Sequence, residues 1–85
     1  MTMDELTKTQ LKEVAALLEE RLRIIGDHAW RDRDQAGHLE ALKKVAVEIE
    51  AAKKQVPRNL DPDLTHYLER CSFDKALERI RGYIG

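Results

Sequence analysis

Between residues 11 and 29 the apolar side chains Leu11, Val14, Leu18, Leu22, Ile25 and Ala29 follow one another at gaps of three and four. At about 100° per residue that spacing keeps all six on one stripe of a helix, and it is incompatible with a strand, whose faces repeat every second residue. A long helix with one face to bury is the first constraint on the fold. Leu6, Leu17 and Ile24 fall on a second stripe, displaced by roughly 110° around the same helix, so this helix wants two neighbours. Its start is marked by "TMDE", in which Thr2 is placed to cap the backbone at Glu5 and Glu5 to reach back. Gly26 interrupts the pattern. Ala29 nevertheless holds the phase, and a glycine inside a long helix costs only about 1 kcal/mol, so continuation to Trp30 is expected.

A second periodic segment follows "RDRD": Leu39, Leu42, Val45, Ala46, Ile49, Ala52 and Val56, with Glu40, Lys44 and Glu48 opposite and Pro57 at its end. Either Asp32, with Gln35 in the capping-box position, or Asp34 can serve as its N-cap. A short link between two long helices makes them antiparallel neighbours, and residues 4 to 56 read as a helical hairpin. Asp61 followed by Pro62 then predicts a fresh helix start, with Leu64, Tyr67, Leu68 and Cys71 as its buried face. Ser72 reads as an N-cap at a bend, before a final helix over 73–83 with Phe73, Ala76, Leu77, Ile80, Tyr83 and Ile84 on one side. The expected fold is all-α: residues 1 to 85 form a single small helical bundle, a long antiparallel hairpin with a bent C-terminal segment packed along it.

Composition supports this reading. Apolar residues make up 42% of the chain and there are only four glycines and two prolines, too hydrophobic for disorder and too poor in turn residues for a many-stranded sheet. A chain of 85 residues buries little more than about 60% of its unfolded surface, so its own core is marginal and oligomerisation is a common remedy. Fifteen basic residues face 16 acidic ones, and no segment forms a basic arm or an acidic tail. The pairs Lys43-Lys44 and Lys53-Lys54 are interleaved with Glu40, Glu48 and Glu50, a solvated helix surface and not a phosphate-binding patch, so no nucleic-acid partner is expected. A helix-turn-helix is disfavoured as well, because "VPRNLDPD" separates the second and third helices. The N-terminus lacks the features of a signal peptide and no apolar run approaches the roughly 20 residues that span a membrane. The expected location is cytoplasmic. Cys71 is alone, which excludes an intrachain disulfide and fits a reducing compartment.

The stretch "GDHAWRDRDQAGHLEAL" concentrates residues with chemical potential: two of three histidines, three aspartates and the only tryptophan. In a hairpin turning near residue 33, His28 and His38 are equidistant from the turn and can face one another, with Asp32 and Asp34 between them. Structural zinc usually takes four ligands dominated by Cys and His, and with one cysteine and no HxxxH or CxxC the metal reading is the weaker one. His38 instead shares the stripe of Leu42, Val45 and Ile49, so it is expected to pack in the core and hydrogen-bond near the helix start. His28 and Asp32 are spaced for a local pair. Ser72 has no nucleophile-elbow context, Cys71 and His66 lie about 140° apart around a helix, and no glycine-rich phosphate loop occurs. No enzymatic activity, metal or cofactor is expected. Trp30, with Arg31 and Arg33, has the aromatic-plus-arginine composition of interface hot spots, although a lid over Leu39 and Ile25 at the end of the core is the favoured role of the tryptophan. The functional expectation is a small interaction or structural module. It self-associates as a homodimer through Leu6, Leu17 and Ile24, with Trp30, Arg31 and Arg33 as a further candidate contact and a protein partner as a further option. A ligand- or metal-binding regulatory domain built on the tip histidines is the alternative.

Overall fold

The three-and-four spacing of Leu11, Val14 and Leu18 is realised in α1 (Glu5–Gly26), where all three side chains are buried together with Ala15. The structure, a computed structural model, describes residues 5–57 and 59–84; the capping box at Thr2 lies outside them. Beyond α1 come α2 (His28–Arg33), α3 (Gln35–Lys53), α4 (Pro62–Glu69) and α5 (Phe73–Ile84), with no strand among the described residues. Helix α3 packs along α1, completing the hairpin, while α5 packs on α1 and α4 packs on α5. At 49 × 21 × 20 Å the molecule is a rod. Each fully buried aliphatic side chain in it contributes about 1.5–3 kcal/mol. Leu11, Leu18, Ile49, Leu64, Ile80 and Val14 are the largest of these and come from four helices, so no helix pair closes the core alone.

The link between the long helices differs from the expected continuation through Gly26. Helix α1 stops there, and Asp27 starts a separate short helix by accepting the Trp30 N–H at 3.0 Å. An aspartate directly after a glycine supplies both a stop and a start, which outweighs the phase held by Ala29, an exposed residue. Of the two candidate caps for the next helix, Asp34 is the one used: its carboxylate accepts the Gly37 N–H at 3.0 Å, over a space that a Cβ on Gly37 would occupy.

The change of direction at Asp27 rotates the burial pattern of the preceding turn. Leu22 and Ile25, expected on the buried stripe, are exposed, whereas Ile24, expected on the open stripe, is 6% exposed. In α3 the face built on His38, Val45 and Ile49 is buried as expected, but Leu39 and Ala46 at its margin are exposed. Helix α3 ends at Lys53, before Pro57, and Val56 reaches the core from the turn that follows.

The C-terminal half follows its signals closely. Asp61 caps α4 with proline in the first turn, and Leu64 and Leu68 are buried beneath it. The bend at Ser72 has a specific geometry. Cys71 takes a left-handed conformation (φ 58°), its N–H donates to the Leu68 carbonyl at 3.2 Å, and the Ser72 N–H donates to the Tyr67 carbonyl at 2.8 Å. These two bonds form a Schellman motif. The Ser72 carbonyl in turn accepts the Ala76 N–H at 3.0 Å and opens α5, so the hydrogen bonds that hold the bend run through the backbone. Cys71 is exposed, contrary to the expected apolar burial, because the left-handed position points it away from the α4 face.

Candidate functional site

Two regions carry the polar and aromatic side chains from which a site can be built. The first is the hairpin tip. His38 is buried one turn into α3, and its Nε2 lies 2.7 Å from the Ile24 carbonyl oxygen. A carbonyl only accepts, so Nε2 carries the proton and donates. Trp30 is partly buried against the core and meets the His38 ring edge to face, with centroids 5.6 Å apart and planes at 88°. The tryptophan thus covers His38; Ile25 and Leu39, which it was expected to shield, remain exposed. His28 is exposed, and the ion pair at Asp32 is with Arg31 at 3.9 Å. The tip does not bring the two histidines into equivalent settings, and no group of three or more His, Cys, Asp or Glu able to hold a metal occurs among the described residues.

The predicted interface residues separate along the rod. Leu6 is 69% exposed, Leu17 is partly buried against the core, and Ile24 is buried, so the three do not form one open row. Arg31 and Arg33 are exposed on α2. The apolar residues that do stay open at the tip are Leu22 at 42%, Ile25 at 39% and Leu39 at 51%. Leu22 and Ile25 are one helical turn apart, and Leu39 directly follows His38, which is bonded to the same end of α1.

The second region joins α4 to α5 around Asp61, which sequence reading had identified only as a cap. Its Oδ1 accepts the N–H groups of Asp63 and Leu64 at 3.0 and 3.2 Å. Arg79 donates through Nε to Oδ2 at 2.7 Å and through Nη2 to Oδ1 at 3.3 Å, and the Tyr83 hydroxyl donates to Oδ2 at 2.5 Å. Burial by itself raises the pKa of this carboxyl, but the hydrogen bonds from Arg79, Tyr83 and the Leu64 N–H outweigh it and bring the pKa down to about 2. The same hydrogen bond to Asp61 raises the pKa of the Tyr83 hydroxyl and that of Arg79. Such a carboxylate is a fixed anion with its lone pairs occupied, a structural anchor and not a proton carrier. No buried side-chain nitrogen or oxygen lacks a partner among the described residues.

Beside this anchor lies a cleft of about 610 Å³, lined by Tyr67, Lys75, Glu78, Arg79, Gly82 and Tyr83. Five of these six sit on one face of α5, at successive spacings of three, one, three and one. The sequence signal for it was available in part: Lys75, Arg79 and Tyr83 recur every four residues, but only the fold brings Asp61 and Tyr67 against them.

No helix of the described residues is long and apolar enough to cross a membrane. Comparison with protein-family models, with curated proteins and with solved structures gives no match to this chain.

Proposed function

We propose that the chain is a small non-enzymatic helical interaction module of the cytoplasm that self-associates as a homodimer through the hairpin tip. The observation that carries this reading is the exposure of Leu22, Ile25 and Leu39 at one end of a rod whose remaining large aliphatic side chains mostly close into a single core. Exposed aliphatic side chains gathered at one place mark association sites, and two-fold pairing is the commonest way to cover one. Arg31 and Arg33 on the adjoining short helix supply a charged rim of the kind that surrounds such contacts. The row through Leu6, Leu17 and Ile24 is replaced in this role, because Ile24 is already used by the core. An exposed, single cysteine is compatible with a reducing compartment. The strongest polar cluster, at Asp61, is engaged in holding α4 to α5, which favours a binding role over catalysis.

Light scattering coupled to size exclusion tests the reading. A mass twice the 9.8 kDa of the chain is expected at tens of micromolar, falling to the monomer in Leu22→Glu with Ile25→Glu while the helical circular dichroism signal is retained. A monomeric mass at hundreds of micromolar would reject self-association. A dimer that survives the double substitution would reject this surface.

A further inference from the structure

We infer that two copies of this chain exchange their C-terminal halves: the breaks at Asp27 and Asp34 straighten, residues 5–53 of each copy become one helix, and the two helices pair antiparallel. This rests on the self-association proposed above and gives it a form. Between Glu5 and Lys53 only Asp27 and Asp34 are not helical. Asp27, at φ −85° and ψ 77°, already has a near-helical φ, so rotation of one ψ by about 120° joins α1 to α2. Asp34, at φ −150° and ψ 79°, is the one remaining residue to turn before α3 follows. Each break is capped by a single carboxylate, through the Trp30 N–H at Asp27 and the Gly37 N–H at Asp34. A chain straightened at both places has no turn left with which to fold back, so a second copy has to supply the missing half.

The apolar pattern runs through both breaks. Leu11, Leu18, Ile25, Leu39 and Ala46 recur at multiples of seven, and so do Val14, Leu42, Ile49 and Val56, three residues further on. These are the two rows of a coiled-coil seam, in phase across the segment where the chain reverses. A hairpin has no use for that continuity, because each of its helices meets the core on its own phase. The closed structure shows the mismatch in the first row: Leu11 and Leu18 are buried, whereas Ile25 is 39% exposed, Leu39 is 51% exposed and Ala46 is exposed.

In the exchanged pair the seam sets Leu11 beside the other copy's Val56, Leu18 beside its Ile49 and Ile25 beside its Leu42, and it covers Leu39 as well. At the two-fold axis Asp32 meets the other copy's Gln35, a carboxylate and an amide donor that fix the register. Arg21, His28 and Lys53 are the other polar residues on the seam. They weaken the pairing, so the exchanged form competes with the closed one instead of replacing it.

Helix α5 reports the exchange. Arg81 in α5 pairs with Glu19 in α1 at 3.2 Å. A straight helix over residues 5–53 is about 70 Å long, which carries α4 and α5 away from their own α1 and on to the other copy's. In a Cys71→Ser background, Glu19→Cys with Arg81→Cys is treated with a short bismaleimide, and the fractions from size exclusion are run on denaturing gels. Bridging between chains is expected in the dimeric fraction and bridging within the chain in the monomeric one. Gly26→Ala with Asp27→Ala and Asp34→Ala removes the helix stop and both caps, and should tighten the dimer at least about 10-fold. Small-angle scattering of that dimer should give a largest dimension above about 70 Å, against 49 Å for the single chain. His28→Pro puts proline at the first position of α2, which the closed form accepts and a continuous helix does not, and should give a helical monomer.

Bridging within chains in the dimeric fraction, or a folded His28→Pro that dimerises as the parent does, would overturn the exchange and leave surface pairing at the tip standing. A monomeric parent beside a triple variant bridged between chains would reject the tip surface and keep the exchange as a minor form. Monomers throughout would overturn both.

Discussion

Asp61 and Arg79 meet edge to edge, with Nε 2.7 Å from Oδ2 and Nη2 3.3 Å from Oδ1, although 18 residues separate them in the chain. The same carboxylate caps α4 and receives the Tyr83 hydroxyl. One side chain therefore fixes the start of α4 to the last two turns of α5. Truncating it leaves two helix N–H groups, an arginine and a tyrosine without their acceptor, which is why a single aspartate matters more here than the exposed ion pairs along α1 and α3.

The pH dependence of stability follows from that carboxyl. Its folded pKa of about 2 lies below the ordinary value of 3.8, so the native state holds the charged form more tightly than the unfolded state does. The stabilisation is fully present above pH 4 and is lost as pH falls through 4 towards 2. After discounting for the solvent around Arg79, it amounts to about 1–2 kcal/mol. Urea denaturation between neutral pH and pH 2 should show this loss. Asp61→Asn should be less stable at neutral pH and should show a flatter acid limb; an unchanged limb would assign the acid sensitivity to other carboxylates.

Cys71 offers a test in the opposite direction. It occupies the left-handed position of the Schellman motif, where a β-carbon is strained and glycine is not. Its side chain is exposed, so replacing it removes no core contact. Cys71→Gly should raise stability by about 0.5–1 kcal/mol even after the extra freedom of glycine in the unfolded chain is counted. Cys71→Val should lower it. A destabilised glycine variant, read by thermal melting, would mean that the thiol makes a contact of its own.

Local chemistry explains what could be read without coordinates. The Asp61-Pro62 start, the stop and restart around Ser72 and the buried phase of Leu11, Val14 and Leu18 each depend on residues within a turn or two of one another. What sequence did not disclose depends on partners distant in the chain. Asp61 was legible as a cap, but its bonds to Arg79 and Tyr83 arise from α5 folding back on α4. Periodicity puts Leu22 on the buried stripe and Ile24 on the second one, yet Leu22 is exposed and Ile24 is covered, because periodicity does not register the break of the helix at Gly26 and Asp27.

His38 links these levels, because its identity was expected to matter locally and its contact is tertiary. The Ile24 carbonyl also accepts the Asp27 N–H at 3.1 Å, so removing the imidazole donor does not orphan it. His38→Phe keeps the aromatic contact with Trp30 and should cost only about 1–2 kcal/mol, the value of one buried hydrogen bond and some repacking. His38→Ala also uncovers Trp30 and should cost about 2–4 kcal/mol, with a red shift of tryptophan emission that the phenylalanine variant lacks. Equal destabilisation and equal spectra would remove the ring contact from the account.

The sharpest test of the α1 phase compares neighbours on the same helix. Leu18 in α1 is 1% exposed and Ile49 in α3 is 2% exposed, so truncation of either to alanine should cost about 2–5 kcal/mol through lost burial and the cavity left behind. Ile24, buried at the turn into α2, should behave the same way. Leu22 and Ile25 flank it at about 40% exposure, and their alanine variants should lose less than about 1 kcal/mol in the monomer. A substitution to glutamate sharpens the contrast, since a carboxylate at Ile24 must be buried unpaired while one at Leu22 reaches water. Ile24→Glu should therefore fail to fold and Leu22→Glu should fold, as read by helical circular dichroism and cooperative melting. If Ile24→Glu folds and Leu22→Glu does not, the chain keeps its phase through Gly26 and the break at Asp27 is wrong.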